Sequence, residues 1–172
     1  MIGKTKCGRL HVLETRGRHD RCVADEFSIR PGRLADADAV ADTWLAAFRE
    51  TYAFPPAHSD DDVRAWVRTG LLPSTRTWVA EANGRMVGFI ALRDASVEQL
   101  YVRQPWTGRG IGSRLIDLAK DRHPGGLELW TFQVNTGARR FYERHGFRAV
   151  EMTDGSANEE HQPDVRYAWS RG

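Results

Sequence analysis

The chain has 172 residues and a mass of 19.5 kDa, a length that suits one domain. Hydrophobic residues make up 41% of it and aromatic residues 10%, so it can bury a proper core and is not a wholly disordered protein. It contains no apolar run of the about 18 to 20 residues that a membrane span needs, and its first residues lack the apolar core of a secretory signal. We therefore expect a cytoplasmic protein.

The net charge of +2 is unevenly distributed along the chain. Residues 1–22 contain six Lys and Arg against two Asp and Glu, whereas the remaining 150 residues contain 19 against 21. We interpret residues 1–26 as a flexible basic N-terminal arm and residues 27–172 as a single folded domain. Nucleic-acid-binding domains usually concentrate positive charge on the folded surface, so we expect neither nucleic acid nor membrane as a partner. Nucleic-acid binding through the arm is an alternative that rests on six basic residues.

Both cysteines, Cys7 and Cys22, lie in the arm near His11 and His19. Four such ligands could form a tetrahedral zinc site, but the spacing C-x3-H-x7-H-x2-C differs from that of zinc fingers. Two free thiols on a loose terminus are the simpler interpretation, and we expect no metal. Another alternative is that the protein begins later, for instance at Val23.

Beyond the arm, the hydrophobic pattern first predicts a strand and two helices. Residues 27–33 alternate apolar and polar side chains and predict the strand. Apolar residues then recur at helical spacing from Asp36 to Thr51, and Pro55-Pro56 ends that helix. The second helix is predicted to start after Ser59, because three aspartates then fall in its first turn, where the helix dipole favours them.

After Pro73 the apolar period falls to two, which predicts strands. Asn83-Gly84 between two such segments predicts a β-hairpin. The predicted elements from here on are strands over 77–82, 85–92 and 96–102, a helix from Ile111 to the turn at His123, a strand over 127–134, a helix over 136–146, and strands over 147–152 and 165–169. The order β-α-α-β-β-β-α-β-α-β-β is that of a mixed α+β domain with a central sheet.

The most informative segment is LYVRQPWTGRGIGSRLI (100–116), where a strand runs into a turn with glycines at 108, 110 and 112 that opens a helix. Glycine permits positive φ and close backbone approach. Several N–H groups can then point at one anion beside the helix N-terminus, which suits a phosphate compound. The spacing G-x-G-x-G differs from the dinucleotide fingerprint G-x-G-x-x-G, and the Lys of a P-loop is missing. A tight turn without a ligand is the alternative.

A second segment, LELWTFQVNTGARRFYERHGF (127–147), places Asn135 at a strand end and Tyr142 on the next helix. Taken together, the two segments resemble the GNAT superfamily of N-acetyltransferases. The matching residues are Leu100-Tyr101-Val102, Gly108-Arg109-Gly110-Ile111-Gly112, Asn135, Ala138, Phe141-Tyr142-Glu143 and Gly146-Phe147. The resemblance covers most of the chain outside the arm. It implies the GNAT fold, an α+β domain with a central mixed, mostly antiparallel, splayed sheet flanked by helices.

The resemblance also implies acetyl-CoA (coenzyme A) as the cofactor, bound in a V between two splayed strands. Backbone N–H groups of the glycine turn would hold the pyrophosphate, the strand backbone would pair with the pantetheine, and the Leu100 N–H would polarise the thioester carbonyl. The family usually has Arg or Gln where this chain has Thr107, so we expect weakened contacts there with binding retained. The implied cofactor-binding residues are Leu100, Tyr101, Val102, Thr107, Gly108, Arg109, Gly110, Ile111, Gly112, Ser113, Asn135, Ala138, Arg139 and Phe141.

Tyr142 and Glu98 are the implied catalytic residues. The leaving thiolate compares with a cysteine of pKa ~8.5 and an ordinary tyrosine has a pKa of ~10, a mismatch small enough for Tyr142 to donate a proton. An amine of pKa ~10.4 must lose a proton before it attacks, and Glu98 is the candidate base, acting through a water. The alternatives are a half-buried helix aromatic for Tyr142 and an exposed strand glutamate for Glu98.

In this fold the first two helices and the loop before the last strand surround the acceptor pocket. The implied substrate-binding residues are Trp44, Phe48, Tyr52, Glu159 and Glu160. Aromatic rings with carboxylates suit a cationic amine that has an apolar body, the alternative being core residues beside a solvated acidic loop. We therefore predict an N-acetyltransferase that acts on an amine of a small molecule or a protein. The alternative is a non-catalytic acyl-CoA-binding sensor, and a homodimer is compatible with either.

Overall fold

The computed structural model of the protein describes residues 27–171. The predicted arm lies outside the described residues, together with the four residues of the zinc hypothesis, Cys7, His11, His19 and Cys22. Within the described part, none of the helices is both long enough and apolar enough to cross a membrane.

Seven strands form one sheet in the order β1-β2-β3-β4-β5-β7-β6. All neighbours are antiparallel except β4 and β5, which are parallel. This arrangement confirms the predicted mixed, mostly antiparallel sheet. The strands are β1 (Phe27–Pro31), β2 (Arg76–Ala82), β3 (Arg85–Arg93), β4 (Ser96–Val102), β5 (Leu127–Phe132), β6 (Arg148–Met152) and β7 (Asp164–Trp169).

The helices flank this sheet on both faces. A short 3-10 turn (Leu34–Asp36) leads into α1, and a π-helical turn (Val67–Leu71) joins α2 to α3. The Ser59 hydroxyl accepts a hydrogen bond from the Asp62 N–H (3.2 Å) and so caps α2, which begins where it was predicted. The helices are α1 (Ala37–Thr51), α2 (Asp60–Trp66), α3 (Leu72–Ser74), α4 (Ile111–Arg122) and α5 (Thr136–Arg144).

Two apolar clusters, one on each face of the sheet, form the core. Val40, Phe48 and Val67 of the α1–α2 side pack on Phe89 of β3 in one cluster. The second cluster joins the helices α4 and α5 to the opposite face of β3, β4, β5 and β7. Burial on both faces explains why the central strand β3 is apolar at almost every position.

The turns explain where the predicted elements begin and end. Asn83 (φ 53°) and Gly84 (φ 70°) both adopt the left-handed conformation, as a two-residue hairpin turn of type I′ requires. The strand predicted over 127–134 ends at Phe132, because Asn135 turns the chain and caps α5 with its side chain. Gly146, two residues after the end of α5, adopts the left-handed conformation (φ 78°) that commonly terminates a helix.

The sheet opens between β4 and β5. These strands are in register only at Ser96–Glu128 and Val97–Leu129, and beyond these two pairs they diverge. In the pairing of β4 with β3, Leu92 is opposite Val97 and Ala91 is opposite Gln99, so Glu98 is the extra residue of a β-bulge. Bulges are frequent next to active sites, where they redirect a side chain. The divergence and the bulge together create the cleft described next.

Candidate active site

A cavity of about 900 Å³ lies where β4 and β5 diverge. Its walls come from β4, β5, the glycine turn, the start of α5, the end of α1 and the loop before β7. The predicted residues that line it are Trp44, Phe48, Tyr52, Glu98, Leu100, Tyr101, Val102, Thr107, Gly108, Gly110, Gly112, Ser113, Asn135, Ala138, Phe141, Tyr142 and Glu160. A second cavity, of about 1020 Å³, lies at the other end of these strands and shares only Glu98 with the predicted set.

Four predicted residues have side chains outside this lining. Ile111 is buried in the core, so only its backbone is available at the turn. The Arg109 guanidinium lies 4.9 Å from the Trp106 ring centroid, and its Nε donates to the Pro105 carbonyl (3.1 Å). Arg139 donates from Nε to the Tyr167 hydroxyl (3.3 Å). Glu159 lies 2.9 Å from His58 at the protein surface.

The glycine turn has the geometry of an anion site. Gly108 (φ 77°) and Gly110 (φ 83°) are in the left-handed region, and Gly110 is the N-cap of α4. The first helical hydrogen bond runs from the Arg114 N–H to the Gly110 carbonyl (3.0 Å), so the N–H groups of residues 111–113 have no partner in the helix. A Cβ at Gly108 or Gly110 would meet nothing within 4 Å. Open space, free donors and the helix dipole fit a phosphate group.

Thr107, which departs from the family pattern, is fixed within this turn. Its hydroxyl donates to the Gln104 side-chain carbonyl (2.7 Å), and the Gln104 N–H donates to Glu50 of α1 (3.0 Å). Thr107 therefore stabilises the path of the turn by a short polar contact.

Tyr142 lies on α5 at the floor of the cleft and is 7% exposed. The rings of Phe141, Phe147 and Tyr167 surround it, with centroids 5.2 to 6.1 Å away. Its hydroxyl makes no hydrogen bond to any residue in the range 27–171, although it lines the cleft. Burial raises the pKa of the phenol above its ordinary value of ~10, so Tyr142 carries its proton at neutral pH.

The bulge determines the face of the sheet on which Glu98 lies. Val97 and Leu100 both pack into the cluster on the α4 side, although a regular strand would place residues three apart on opposite faces. Gln99 lies on the α1 side, where its side-chain carbonyl accepts a hydrogen bond from Trp44 Nε1 (3.0 Å). Glu98 thus reaches the cleft next to a strand segment whose edge is unpaired toward β5.

Aromatic side chains form the wall of the cleft at α1. Trp44 and Phe48 stack at 4.9 Å, and Phe48 contacts Tyr52 at 4.7 Å. Trp44 and Phe48 also belong to the core cluster on this face. The same rings therefore pack the core and border the cavity, and their role in acceptor binding stays a prediction.

Asn135 joins the two walls of the cleft. Its side-chain carbonyl accepts from the Ala138 N–H (2.9 Å) and caps α5, and its Nδ2 donates to the Tyr52 hydroxyl (2.9 Å). Burial raises the pKa of the Tyr52 phenol. Both the carbonyl oxygen and the NH2 group of the Asn135 side chain therefore form hydrogen bonds within the protein.

The acidic side of the cleft comes from the loop before β7. Glu160, Asp164 and Asn158 line the cavity. Asn158 Nδ2 donates to Asp164 (3.0 Å) and to the Gln162 carbonyl (2.8 Å), which orders the loop. The contact with Glu159 raises the pKa of His58 and links this loop to the segment before α2.

Several lining residues were not predicted from the sequence, namely Gln99, Trp106, Trp130 and Phe132. Phe132 packs between Tyr52 (5.3 Å) and Phe54 (5.5 Å). Period-two alternation along β5 sets Trp130 and Phe132 on one face, opposite the buried Leu127 and Leu129. That signal was present in the sequence, but it does not say which face borders a cleft.

Comparison with known proteins agrees with this geometry. Residues 73–149 match the model of the acetyltransferase (GNAT) domain family. The peptidyl-lysine N-acetyltransferase YiaC of Escherichia coli is 29% identical over 124 residues, covering 72% of this chain and 84% of YiaC. The peptidyl-lysine N-acetyltransferase YjaB of E. coli is 27% identical over 131 residues, covering 74% and 86%. These matches confirm the predicted resemblance to the GNAT superfamily of N-acetyltransferases.

Solved structures of GNAT proteins share its fold. The solution structure of apo YjaB from E. coli superposes with a TM-score of 0.70 at 24% identity, covering 86% of this chain and 99% of YjaB. The PaiA N-acetyltransferase of Thermoplasma acidophilum, in complex with coenzyme A, has a TM-score of 0.66 at 21% identity, covering 85% and 99%. The predicted fold, enzyme class and cofactor are thus confirmed: this protein is an acetyl-CoA-dependent N-acetyltransferase acting on an amine, as the family model and the relatives indicate, and it has the fold of the solved GNAT structures. The alternative of a non-catalytic acyl-CoA-binding sensor is therefore not supported.

Proposed function

We propose that this GNAT enzyme acetylates the side-chain amine of lysine residues in proteins. Both curated relatives named above are peptidyl-lysine N-acetyltransferases. The cleft supports the same class of acceptor, because the rings of Phe48 and Tyr52 and the carboxylates of Glu160 and Asp164 all line it. A lysine has an apolar four-carbon stem and a cationic head, which match rings and carboxylates respectively.

The donor side is proposed to bind acetyl-CoA through the backbone. The N–H groups from Gly108 to Ser113 would hold the pyrophosphate, and the unpaired edge of β4 at Leu100 and Val102 would pair with the pantetheine arm. The thioester supplies an activated acetyl group. The observation that carries this proposal is that β4 and β5 are in register at only two positions, which leaves a strand edge open in the cavity that Tyr142 also lines.

Tyr142 and Glu98 are proposed to move the two protons of the reaction. Glu98 takes a proton from the lysine ammonium through a water, and the neutral amine then attacks the carbonyl carbon of the acetyl group, whose oxygen accepts a hydrogen bond from the Leu100 N–H. As the carbon–sulfur bond breaks, the sulfur keeps the electron pair and receives the proton of Tyr142. The second proton of the amine nitrogen passes through water to the Tyr142 phenolate and restores the phenol, and Glu98 releases its proton to solvent. The hydroxyl of Tyr142 is protonated and makes no hydrogen bond within residues 27–171, which supports its role as a donor.

The test replaces Tyr142 with Phe, which keeps the ring and its packing. Because a positioned general acid contributes about 10²- to 10⁴-fold, we expect kcat to fall by about 100-fold while the acetyl-CoA Kd and the melting temperature stay unchanged. In parallel, Glu98→Gln should lower kcat and leave the acetyl-CoA Kd unchanged. Full turnover of Tyr142→Phe on a lysine peptide would remove the proton-donor role.

The location and the partners of the enzyme stay predictions. We predict that it resides in the cytoplasm, that it has neither nucleic-acid nor membrane partners, and that it can form a homodimer.

A further inference from the structure

Trp130 is a large apolar side chain that is left exposed in the cleft. It lies on β5, lines the cavity between β4 and β5 and is 47% exposed. Because β5 alternates, Trp130 shares a face with Phe132, which packs on Tyr52 of the acceptor wall. Trp130 therefore continues the aromatic wall from the cleft onto the open face of the sheet.

The position of the Trp130 ring is fixed from one side by Arg166 of β7. The guanidinium lies 6.0 Å from the ring centroid. Arg166 itself is held by two carboxylates, Glu128 and Glu151, each at 2.9 Å. Because the Arg166 guanidinium already pairs with the two carboxylates, a partner that binds at Trp130 gains little electrostatic energy from these three groups. The exposed indole surface is what a partner can bury.

Trp130 also lies beside the proposed catalytic base. Val97 of β4 and Leu129 of β5 are the last residues of the two strands in register. Glu98 directly follows the first of them and Trp130 directly follows the second. A lysine amine held at Glu98 would therefore bring the adjacent part of its own polypeptide close to the indole.

We infer that Trp130 is a specificity-determining residue of the acceptor site, and that it packs on an apolar side chain next to the lysine that receives the acetyl group. This inference rests on the proposed protein-lysine acceptor and adds a preference for sequence context. An apolar contact of this size discriminates between substrates by roughly 10- to 200-fold, and the exposed half of the indole places the expected preference near the lower end.

The experiment measures acetylation of three lysine substrates by the wild type, Trp130→Ala and Trp130→Phe. They are blocked pentapeptides with leucine or with aspartate on both sides of a central lysine, and a blocked single lysine amide with no neighbour. For the wild type we expect kcat/KM to be about tenfold higher for the leucine than for the aspartate peptide. Trp130→Ala should lose this preference through the peptide KM and keep its acetyl-CoA KM. Trp130→Phe should restore part of the preference.

Met152→Ala is the control, because Met152 is an apolar residue of β6 that is 58% exposed and lies outside both cavities. It should keep the wild-type preference. If the wild type acetylates the leucine and aspartate peptides equally well, the inference about Trp130 is overturned and the proposed lysine acceptor stands. A preference for leucine that survives in Trp130→Ala has the same consequence. A raised acetyl-CoA KM in Trp130→Ala would also overturn it, because Trp130 would then act through the fold or on the donor side. A wild type that acetylates none of the three overturns the proposed acceptor, and this inference with it.

Discussion

Removal of the Asn135 side chain should weaken both the helix α5 and its link to α1. In Asn135→Ala, α5 loses its N-cap bond to the Ala138 N–H, which costs about 1 kcal/mol, and Tyr52 loses its hydrogen bond from Nδ2, which costs about another 1 kcal/mol. Together the loss in the free energy of unfolding is about 2 kcal/mol. For a domain of this size about 1 kcal/mol lowers the melting temperature by about 2 to 4 °C, so we expect a decrease of about 4 to 8 °C.

Tyr52→Phe separates the two contributions, because it removes the hydroxyl and keeps the ring against Phe48 and Phe132. Its expected loss is about 1 kcal/mol, and the double variant Tyr52→Phe/Asn135→Ala should be no less stable than Asn135→Ala alone. Calorimetric melting of all four proteins gives the coupling free energy. If the two single losses add fully in the double variant, the Tyr52–Asn135 hydrogen bond contributes nothing and the link between the two walls is refuted.

Two further predictions concern the glycine turn and the surface contact between the two loops. Gly110→Ala forces a side chain into the left-handed region (φ 83°) at a cost of about 1 to 2 kcal/mol, and we expect about a tenfold weaker acetyl-CoA Kd by titration calorimetry. Gly125→Ala is its control, because a Cβ there meets nothing within 4 Å and its φ lies outside that region; equal affinities of the two variants would contradict the role of the turn. For His58, contact with Glu159 raises the pKa, so the ion pair is present below the ordinary pKa of ~6.5 and is lost as the pH rises through the raised value. Glu159→Gln should lower the His58 pKa in an NMR titration, and an unchanged pKa would show that the contact does not form in solution.

Local sequence features were sufficient to predict the strands, the helices and the glycine turn. The Asn83-Gly84 hairpin and the turn at Gly110 need particular backbone conformations, which glycine and asparagine supply without any tertiary context. The same is true of Ser59 and Asn135, which cap the helices that follow them. These residues determine local geometry, and the structure agrees with what they predict.

Tertiary contacts explain the features that the sequence did not predict. Arg139 is predicted to bind the cofactor, and that prediction stays untested, but no local pattern indicated that its Nε donates to Tyr167 on β7, 28 positions along the chain. Trp130 was overlooked because its exposure depends on its position in the strand order β5-β7-β6. No local pattern encodes the order of strands in a sheet.

The raised pKa of Tyr142 bears directly on its proposed role as a proton donor. With an ordinary phenol the pKa difference from the thiol is about 1.5, or about 2 kcal/mol, and burial of the phenol alone would enlarge that difference and oppose the transfer. However, burial disfavours a thiolate in the same way, so a sulfur that leaves in the same cleft also has its pKa raised. The difference, and not either value, determines whether the proton moves. A variant that admits water to this end of the cleft should therefore change kcat much less than the loss of the hydroxyl does, because it lowers both pKa values together.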